Sequence, residues 1–354
     1  MSQSDRDLTE ALADEVRQAH DSGIRLSLAG GETKPFLGRS VEGKRLSVRE
    51  HCGIVHYEPT ELVLTARAGT PLGEIHDLLA AHGQWLPFEP PSFASCATLG
   101  GTIACGLSGP ARPFFGAARD FVLGVRLLDG RGQLLHFGAE VIKNVAGYDV
   151  ARLVTGAQGT LGALLEISLK VGPLPPASET LTREEGLESS IRRLAELAAK
   201  PLPLSAASHD GERLFLRLSG TEAGVRAAAN RIGGERLADP DAFWQSVRER
   251  THPFFSLPGP LWRLSVPPAT LAPPPGGGRL LLDWSGAQRW WKGSAEPTAL
   301  WEWARSMGGH AALFDSGRCR LQPLDPGLFA LHKRLKAAFD PKGILNSGRL
   351  YDSL

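Results

Sequence analysis

The placement of glycine constrains this chain more than any other feature. "GAQGTLG" sets Gly156, Gly159 and Gly162 three residues apart, close behind Gly147, and further clusters fall at Gly30-Gly31 and Gly100-Gly101. A glycine inside a helix or strand costs roughly 0.5–1 kcal/mol relative to alanine, so clusters of this kind mark loops with a purpose. Three such loops stand out, at 30–38, 97–109 and 147–162, each beside a predicted strand. Glycine lets another group approach the backbone closely, and successive exposed N–H groups form nests for anions such as phosphate. Two familiar nucleotide folds are excluded. Pro35 keeps "AGGETKPFLG" from opening a helix, as a Rossmann motif must, and no G-K-[ST] closes a P-loop.

Between these loops the periodicities are clear. Apolar spacing predicts a helix over 7–22 with Asp7 as its cap, then a short strand in "IRLSLA". "ELVLTARAG" reads as a strand and "TPLGEIHDLLAAHG" as a helix capped by Thr70. "SFASCATLGGTIACGLSG" reads as small, polar loop. "DFVLGVRLLDGRGQLLHFG" is a hairpin turning at Asp129-Gly130, followed by a short helix at about 149–155 and a strand at about 161–171. "GPLPPAS" at 172–178 marks a boundary, since its prolines stop regular structure. Beyond it helices and strands alternate, which suggests an α+β sandwich of ferredoxin-like type. No internal repeat is evident. The tail "LHKRLKAAFDPKGILNSGRLY" is a helix that ends before Pro341 and then a tight turn.

Composition narrows the function by exclusion. The formal net charge is +1 with no basic tract, which argues against a nucleic-acid partner. The charged N-terminus is no signal peptide, and no apolar run is long enough to span a membrane. Four dispersed cysteines fit a reducing cytoplasm and contain no C-x-x-C of the iron–sulfur kind.

Taken together, "LSLAGGETKPFLG", "ATLGGTIACGLSGPAR", "VIKNVAGYDVARLVTGAQGTLG" and "FDPKGILNSGRLY" resemble the FAD-linked oxidases of the vanillyl-alcohol oxidase or PCMH type, over nearly the whole chain. The resemblance implies an α+β fold with a PCMH-type FAD-binding domain of two subdomains at 1–173. It further implies an α+β cap or partner domain at 178–312 and a segment, 313–354, returning to the FAD domain. It places the FAD diphosphate on backbone amides of Ala29, Gly30, Gly31, Glu32 and Thr33, and of Thr98, Gly100, Gly101 and Thr102. Gly147, Tyr148, Asp149, Gly159, Thr160 and Gly162 would wrap the rest of the cofactor, with Asn346 and Arg349 closing over it from the tail. The pattern departs at Gln158, where relatives carry Glu, and at Asn346-Ser347-Gly348, where many carry N-P-G. Relatives that attach FAD covalently use a histidine of the first loop. None lies between Gly30 and Gly38, so attachment there is excluded and FAD is expected to be non-covalent. Cys105 reads as a small buried thiol rather than a second attachment point.

Members that oxidise 2-hydroxy acids carry a metal-binding P-x-H-x-G-D-G-N-x-H motif in the second domain. It is absent here; His209, His252, His310 and His332 are far apart, no metal site is expected, and no catalytic residue is assigned. Arg263, Arg318 and Arg320 are candidates for a carboxylate clamp. The resemblance implies a FAD-binding redox subunit of a complex oxidising glycolate to glyoxylate. Its partners would be a sister FAD-containing catalytic subunit and an iron–sulfur subunit, on the cytoplasmic side of the membrane. Trp244, Trp262, Trp284, Trp290, Trp291, Trp301 and Trp303 offer weak support for a partner surface in the second half. Two alternatives stay open: a non-redox assembly subunit with a structural FAD, and a self-sufficient FAD-linked oxidase.

Overall fold

A computed structural model describes residues 5–138, 149–314, 320–352 and 354. The chain divides into two compact units. One comprises Met1–Leu107, Ala117–Pro173 and Pro323–Leu354, the other Ser108–Gly116 and Leu174–Gln322.

In the first unit, β1 (Leu26–Ala29) runs parallel to β2 (Lys44–Ser47). The tail lies along the other side of β1. Leu26 N–H donates to Ile344 O at 2.7 Å, and Asn346 N–H donates to Leu26 O at 3.0 Å. The helix Thr9–Ser22 covers this layer with Leu12, Val16 and Ala19, which recur at helical spacing and meet Leu26, Leu46 and Leu345. Asp7 serves the helix from one residue outside its first turn: its Oδ1 accepts from Thr9 N–H at 2.9 Å.

The second layer is a five-stranded antiparallel sheet of β3 (Ile54–Glu58), β4 (Val63–Arg67), β6 (Val122–Leu128), β7 (Leu134–Gly138) and β8 (Ala163–Lys170), in the order β3-β4-β8-β6-β7. A small pair, β5 (Gln84–Trp85) with β9 (Gly172–Pro173), lies outside it. Central β8 is buried on both faces, so "ALLEISL" reads as a nearly unbroken apolar run. Its two polar residues are satisfied: Glu166 accepts from Arg126 at 2.6 Å, and Ser168 shares a 2.8 Å hydrogen bond with Thr65. The hairpin turn at Asp129 is fixed by its carboxylate, which accepts from Arg131 N–H and Gln133 N–H. Thr70 does not cap the helix Leu72–Ala81. Pro71 occupies the cap position, and the Thr70 hydroxyl instead exchanges hydrogen bonds with the backbone of Gly53.

The second unit contains β10 (Ala177–Glu184), β11 (Leu204–His209), β12 (Arg213–Gly220), β13 (Glu235–Arg236), β14 (Leu261–Ser265), β15 (Arg279–Asp283), β16 (Gln288–Lys292), β17 (His310–Leu313) and β18 (Arg320–Leu321). They form one nine-stranded sheet, β13-β10-β12-β11-β15-β16-β14-β17-β18. The order β13-β10-β12-β11, with helices Leu187–Ala198 and Glu222–Ile232 between strands, is the ferredoxin-like order. β15-β16-β14-β17 repeats that order, and the edges of the two halves join where His209 pairs with Leu282. The unit thus holds a topological repeat that sequence comparison within the chain does not reveal. In the second half the crossover from β14 to β15 runs through 266–278 without a helix, because its prolines and glycines forbid one. Ser108–Gly116, which the sequence reading left in the first domain, clusters with this unit: Trp284 Nε1–H donates to Gly109 O at 2.9 Å, and Arg112 stacks on the Trp284 ring. Trp244, Trp262, Trp284, Trp290 and Trp291 are all buried, so most of the tryptophans pack the core rather than face a partner.

Candidate functional site

The three glycine-rich loops and the tail meet in the first unit around a cleft with about 1110 Å³ of empty space continuous with solvent.

The first loop leaves the end of β1, and Glu32 adopts φ +53° as the chain turns. The second begins at Thr98, whose hydroxyl caps the helix Leu99–Cys105 by accepting from Gly101 N–H at 3.2 Å. The segment read from sequence as loop is therefore helical through its centre. Gly100 is required there by packing, since a Cβ would come within 2.6 Å of the Ala68 Cβ. The third loop is hung from the end of that helix: Gly156 N–H donates to Ile103 O and Gln158 N–H to Ala104 O. Gly159 takes φ +73°, and a Cβ there would sit 2.7 Å from Leu28 and 2.8 Å from the Asn346 amide. At Gly31 a Cβ would collide with the Cys96 carbonyl. The glycines thus answer first to the close approach of one loop to another.

The tail locks the arrangement. Asn346 is buried, with φ +41°. Its Oδ1 accepts from Leu28 N–H at 2.8 Å and its Nδ2 donates to Gln158 O at 2.7 Å, which ties β1 to the third loop. Arg349 donates to Gln158 Oε1 at 3.1 Å, to Arg39 O at 2.8 Å and to Leu37 O. Beneath them Lys336 Nζ donates to Thr160 O at 2.8 Å, Asp340 Oδ2 at 2.8 Å and Leu345 O at 2.6 Å. Asp340 in turn accepts from Ile344 N–H and Leu345 N–H. Burial pushes the Lys336 ammonium down, against the pull of Asp340.

The residues read from sequence separate into groups. Ala29, Gly30, Gly31, Glu32, Thr33, Thr98, Gly100, Gly101, Gly159, Gly162 and Asn346 all line the cleft. Thr102 does not line it; the residue is buried. Thr160 also stands back, its hydroxyl donating to Ala157 O. Asp149 caps the helix Val150–Val154 and pairs with Arg152, away from the lining. Gly147 and Tyr148 lie outside the described residues, as do Arg318 and Cys319. Sequence reasoning missed Lys34, which lines the cleft while nearly buried, with its Nζ 3.1 Å from the Thr33 hydroxyl and 5.7 Å from the Phe93 ring centroid. A single lysine in a loop carries no spacing signal. Cys105 also lines the cleft, and burial pushes its thiol up despite Lys34 and Arg349.

The amides of the first two loops are not equivalent. Leu99, Gly100, Gly101 and Thr102 N–H already donate to Thr70 O, Ala68 O, Thr98 Oγ1 and Thr98 O. The amides of Gly30, Gly31, Glu32 and Thr33 have no protein acceptor among the described residues. Unpaired N–H groups with Lys34 and Arg349 at the same cleft suit an anionic centre, and Leu28, Ala104 and Val48 supply apolar wall. Among the described residues no group of three His, Cys, Asp or Glu side chains converges as a metal site.

Fold and cleft define a two-unit α+β protein whose first unit is built to hold an anionic ligand. A family model described as the FAD binding domain matches residues 7–138, and one for the C-terminal domain of FAD linked oxidases matches 321–350. The glycolate oxidase subunit GlcE of Escherichia coli (strain K12) is 48% identical over 349 residues, covering 98% of this chain and 99% of that protein. The chain belongs to the FAD-linked oxidases, in the family of that subunit. The glycolate oxidase subunit GlcD of Bacillus subtilis (strain 168) is 27% identical over 59% of this chain and 44% of its own length. An alkyldihydroxyacetonephosphate synthase structure superposes with a TM-score of 0.66 at 16% identity, over 95% of this chain and 74% of that one, which shows a shared fold.

Proposed function

We propose that this chain is the FAD-carrying redox subunit of a multi-subunit complex that oxidises glycolate to glyoxylate. The observation that carries the reading is its near-full-length identity to a protein named as a glycolate oxidase subunit. A sister flavoprotein of the GlcD kind is the first partner, and an iron–sulfur subunit is the second; the complex, rather than this chain, supplies any contact with the membrane. No helix among the described residues is long and apolar enough to cross one.

In this reading the first unit is the FAD domain and the second a cap or partner domain. FAD would be held without a covalent bond by the free amides of Gly30 to Thr33, with Lys34 and Arg349 as counter-charges. Gly100, Gly101, Gly159 and Gly162 would line its path. Bound FAD supplies a two-electron acceptor. Asn346 orients the third loop by holding Gln158 against β1, and Leu28, Ala104 and Val48 exclude water from the wall.

The test is a flavin spectrum with glycolate, for the chain alone and after its partner subunits are added. The flavin should stay oxidised with glycolate alone and bleach in the assembled complex. A flavin that glycolate leaves oxidised in the complex as well would overturn the redox assignment.

A further inference from the structure

The first cleft loop is seated on residues 93–96. Cys96 Sγ–H donates to Gly31 O at 3.3 Å. Three residues earlier, Phe93 meets the same loop twice. Its ring stands edge to face with Phe36, centroids 5.0 Å apart and planes at 80°. The Lys34 ammonium lies 5.7 Å from the centroid of that same ring.

Phe93 reaches this place at a cost. Its φ is +60°, in the left-handed region that favours glycine. There a Cβ crowds the backbone, and a bulky aromatic is a rare occupant. A strained position of this kind persists where the surrounding structure demands the side chain it carries, and such positions cluster at ligand sites. Phe93 does not itself line the cleft; Lys34 does, and is only 7% exposed. Whatever the ring offers a ligand, it therefore offers through Lys34.

A lysine ammonium sits on a flexible four-carbon stem and loses freedom when it meets an anion. Holding it in place beforehand lowers that loss. A ring face attracts an ammonium over this range without cancelling its charge, as a carboxylate would. Lys34 Nζ also donates to the hydroxyl of Thr33, another cleft residue, at 3.1 Å. Its charge is felt in the cleft: it acts on the thiol of Cys105, which lines the same wall.

We propose that Phe93 is a positioning residue for the cofactor, its strained backbone presenting a ring that holds the Lys34 ammonium ready for the anionic part of FAD. The inference rests on the flavin reading of the cleft and deepens it.

Flavin-free full-length protein titrated with FAD tests it, with flavin fluorescence reporting Kd. Phe93→Leu keeps apolar bulk and loses the ring; it should weaken FAD about three- to tenfold, while Phe93→Tyr should stay within about twofold of the parent. Phe93→Gly adopts the left-handed backbone freely, so its folding does not depend on the strain, and it should weaken FAD as the Leu variant does. The deciding background is Lys34→Met. There Phe93→Leu should no longer change FAD affinity, because the ring acts only through the ammonium. A ring that merely packs the loop would cost the same in both backgrounds. The proposal is overturned by full affinity in the Leu and Gly variants, by equal losses with and without Lys34, or by a Tyr variant as weak as Leu. A parent that takes up no FAD would instead overturn the flavin reading, and this inference with it.

Discussion

Replacing Lys336 by Met tests whether the tail and the third loop stand or fall together. The substitution keeps most of the stem and removes one ammonium. That ammonium is the shared donor to Thr160 O on the third loop, to Leu345 O on the tail and to Asp340. The ion pair is well shielded, with side-chain exposures of 10% for Lys336 and 0% for Asp340, so solvent cannot stand in for the lost partner. Breaking a pair this deep leaves an uncompensated carboxylate and costs about 3–5 kcal/mol. Two carbonyls also lose a donor, at about 1–3 kcal/mol each if they stay dry. These costs overlap, because the tail can shift to let water in, so the first figure is the working one. For a chain of this size it corresponds to a fall in melting temperature of roughly 4–7 °C. Thermal melts followed by circular dichroism would read it, and flavin absorbance per chain should fall in parallel. Lys336→Met combined with Asp340→Leu should recover part of the loss, since an apolar pair removes the stranded charge. It should not recover all, because Asp340 also holds Ile344 N–H and Leu345 N–H. A Lys336→Met protein that melts with the parent and keeps its flavin would refute the latch.

Gly101→Asp offers a different contrast, because the nearest atom to a Cβ at Gly101 is the Thr98 hydroxyl at 3.2 Å, while the residue faces the cleft. The variant should fold and melt like the flavin-free parent yet hold little FAD, and Gly101→Ala should keep most of it; full flavin in the Asp variant would show that the cofactor's anionic part lies elsewhere. Asp7 gives an acid signature. The Thr9 backbone N–H, which donates to Asp7 Oδ1 at 2.9 Å, with Arg67 nearby, lowers its carboxyl from 3.8 to about 2. A folded-state value below the unfolded one stabilises the fold above the unfolded value, and that stability is lost as pH falls toward the folded one. The stability gap between the parent and Asp7→Asn should therefore hold steady above pH 3.8 and close toward pH 2; a gap that persists unchanged in acid would contradict the Thr9 cap.

Much of the first unit was legible because local chemistry decides it. The hairpin announces itself at Asp129, and the helix Thr9–Ser22 by its apolar spacing. The helix Leu99–Cys105 was hidden because two glycines lower its propensity, and only contact with Ala68 explains why a residue without a Cβ is needed. β14 and β16 are hard to read from sequence for another reason. "LWRLS" and "QRWWK" mix arginine with tryptophan, and the alternation becomes visible only when one face meets the helix Pro297–Ser306 and the other carries Arg263. In the cleft, glycine clusters located the loops but not which amides stay free. That distinction depends on Thr70 O and Ala68 O, carbonyls some 30 residues upstream that consume the second loop's donors. Lys34 and the Lys336–Asp340 pair are tertiary facts, since burial and partners have no signature in a single loop or helix turn.

The central claim is that the first unit binds FAD non-covalently, through the free amides of its first loop. Acid precipitation of the purified protein, followed by chromatography of the supernatant and of the pellet, tests it most directly. The account predicts about one FAD per chain, all of it released into the supernatant. Protein that purifies without FAD, or flavin that stays with the precipitated chain, would contradict it.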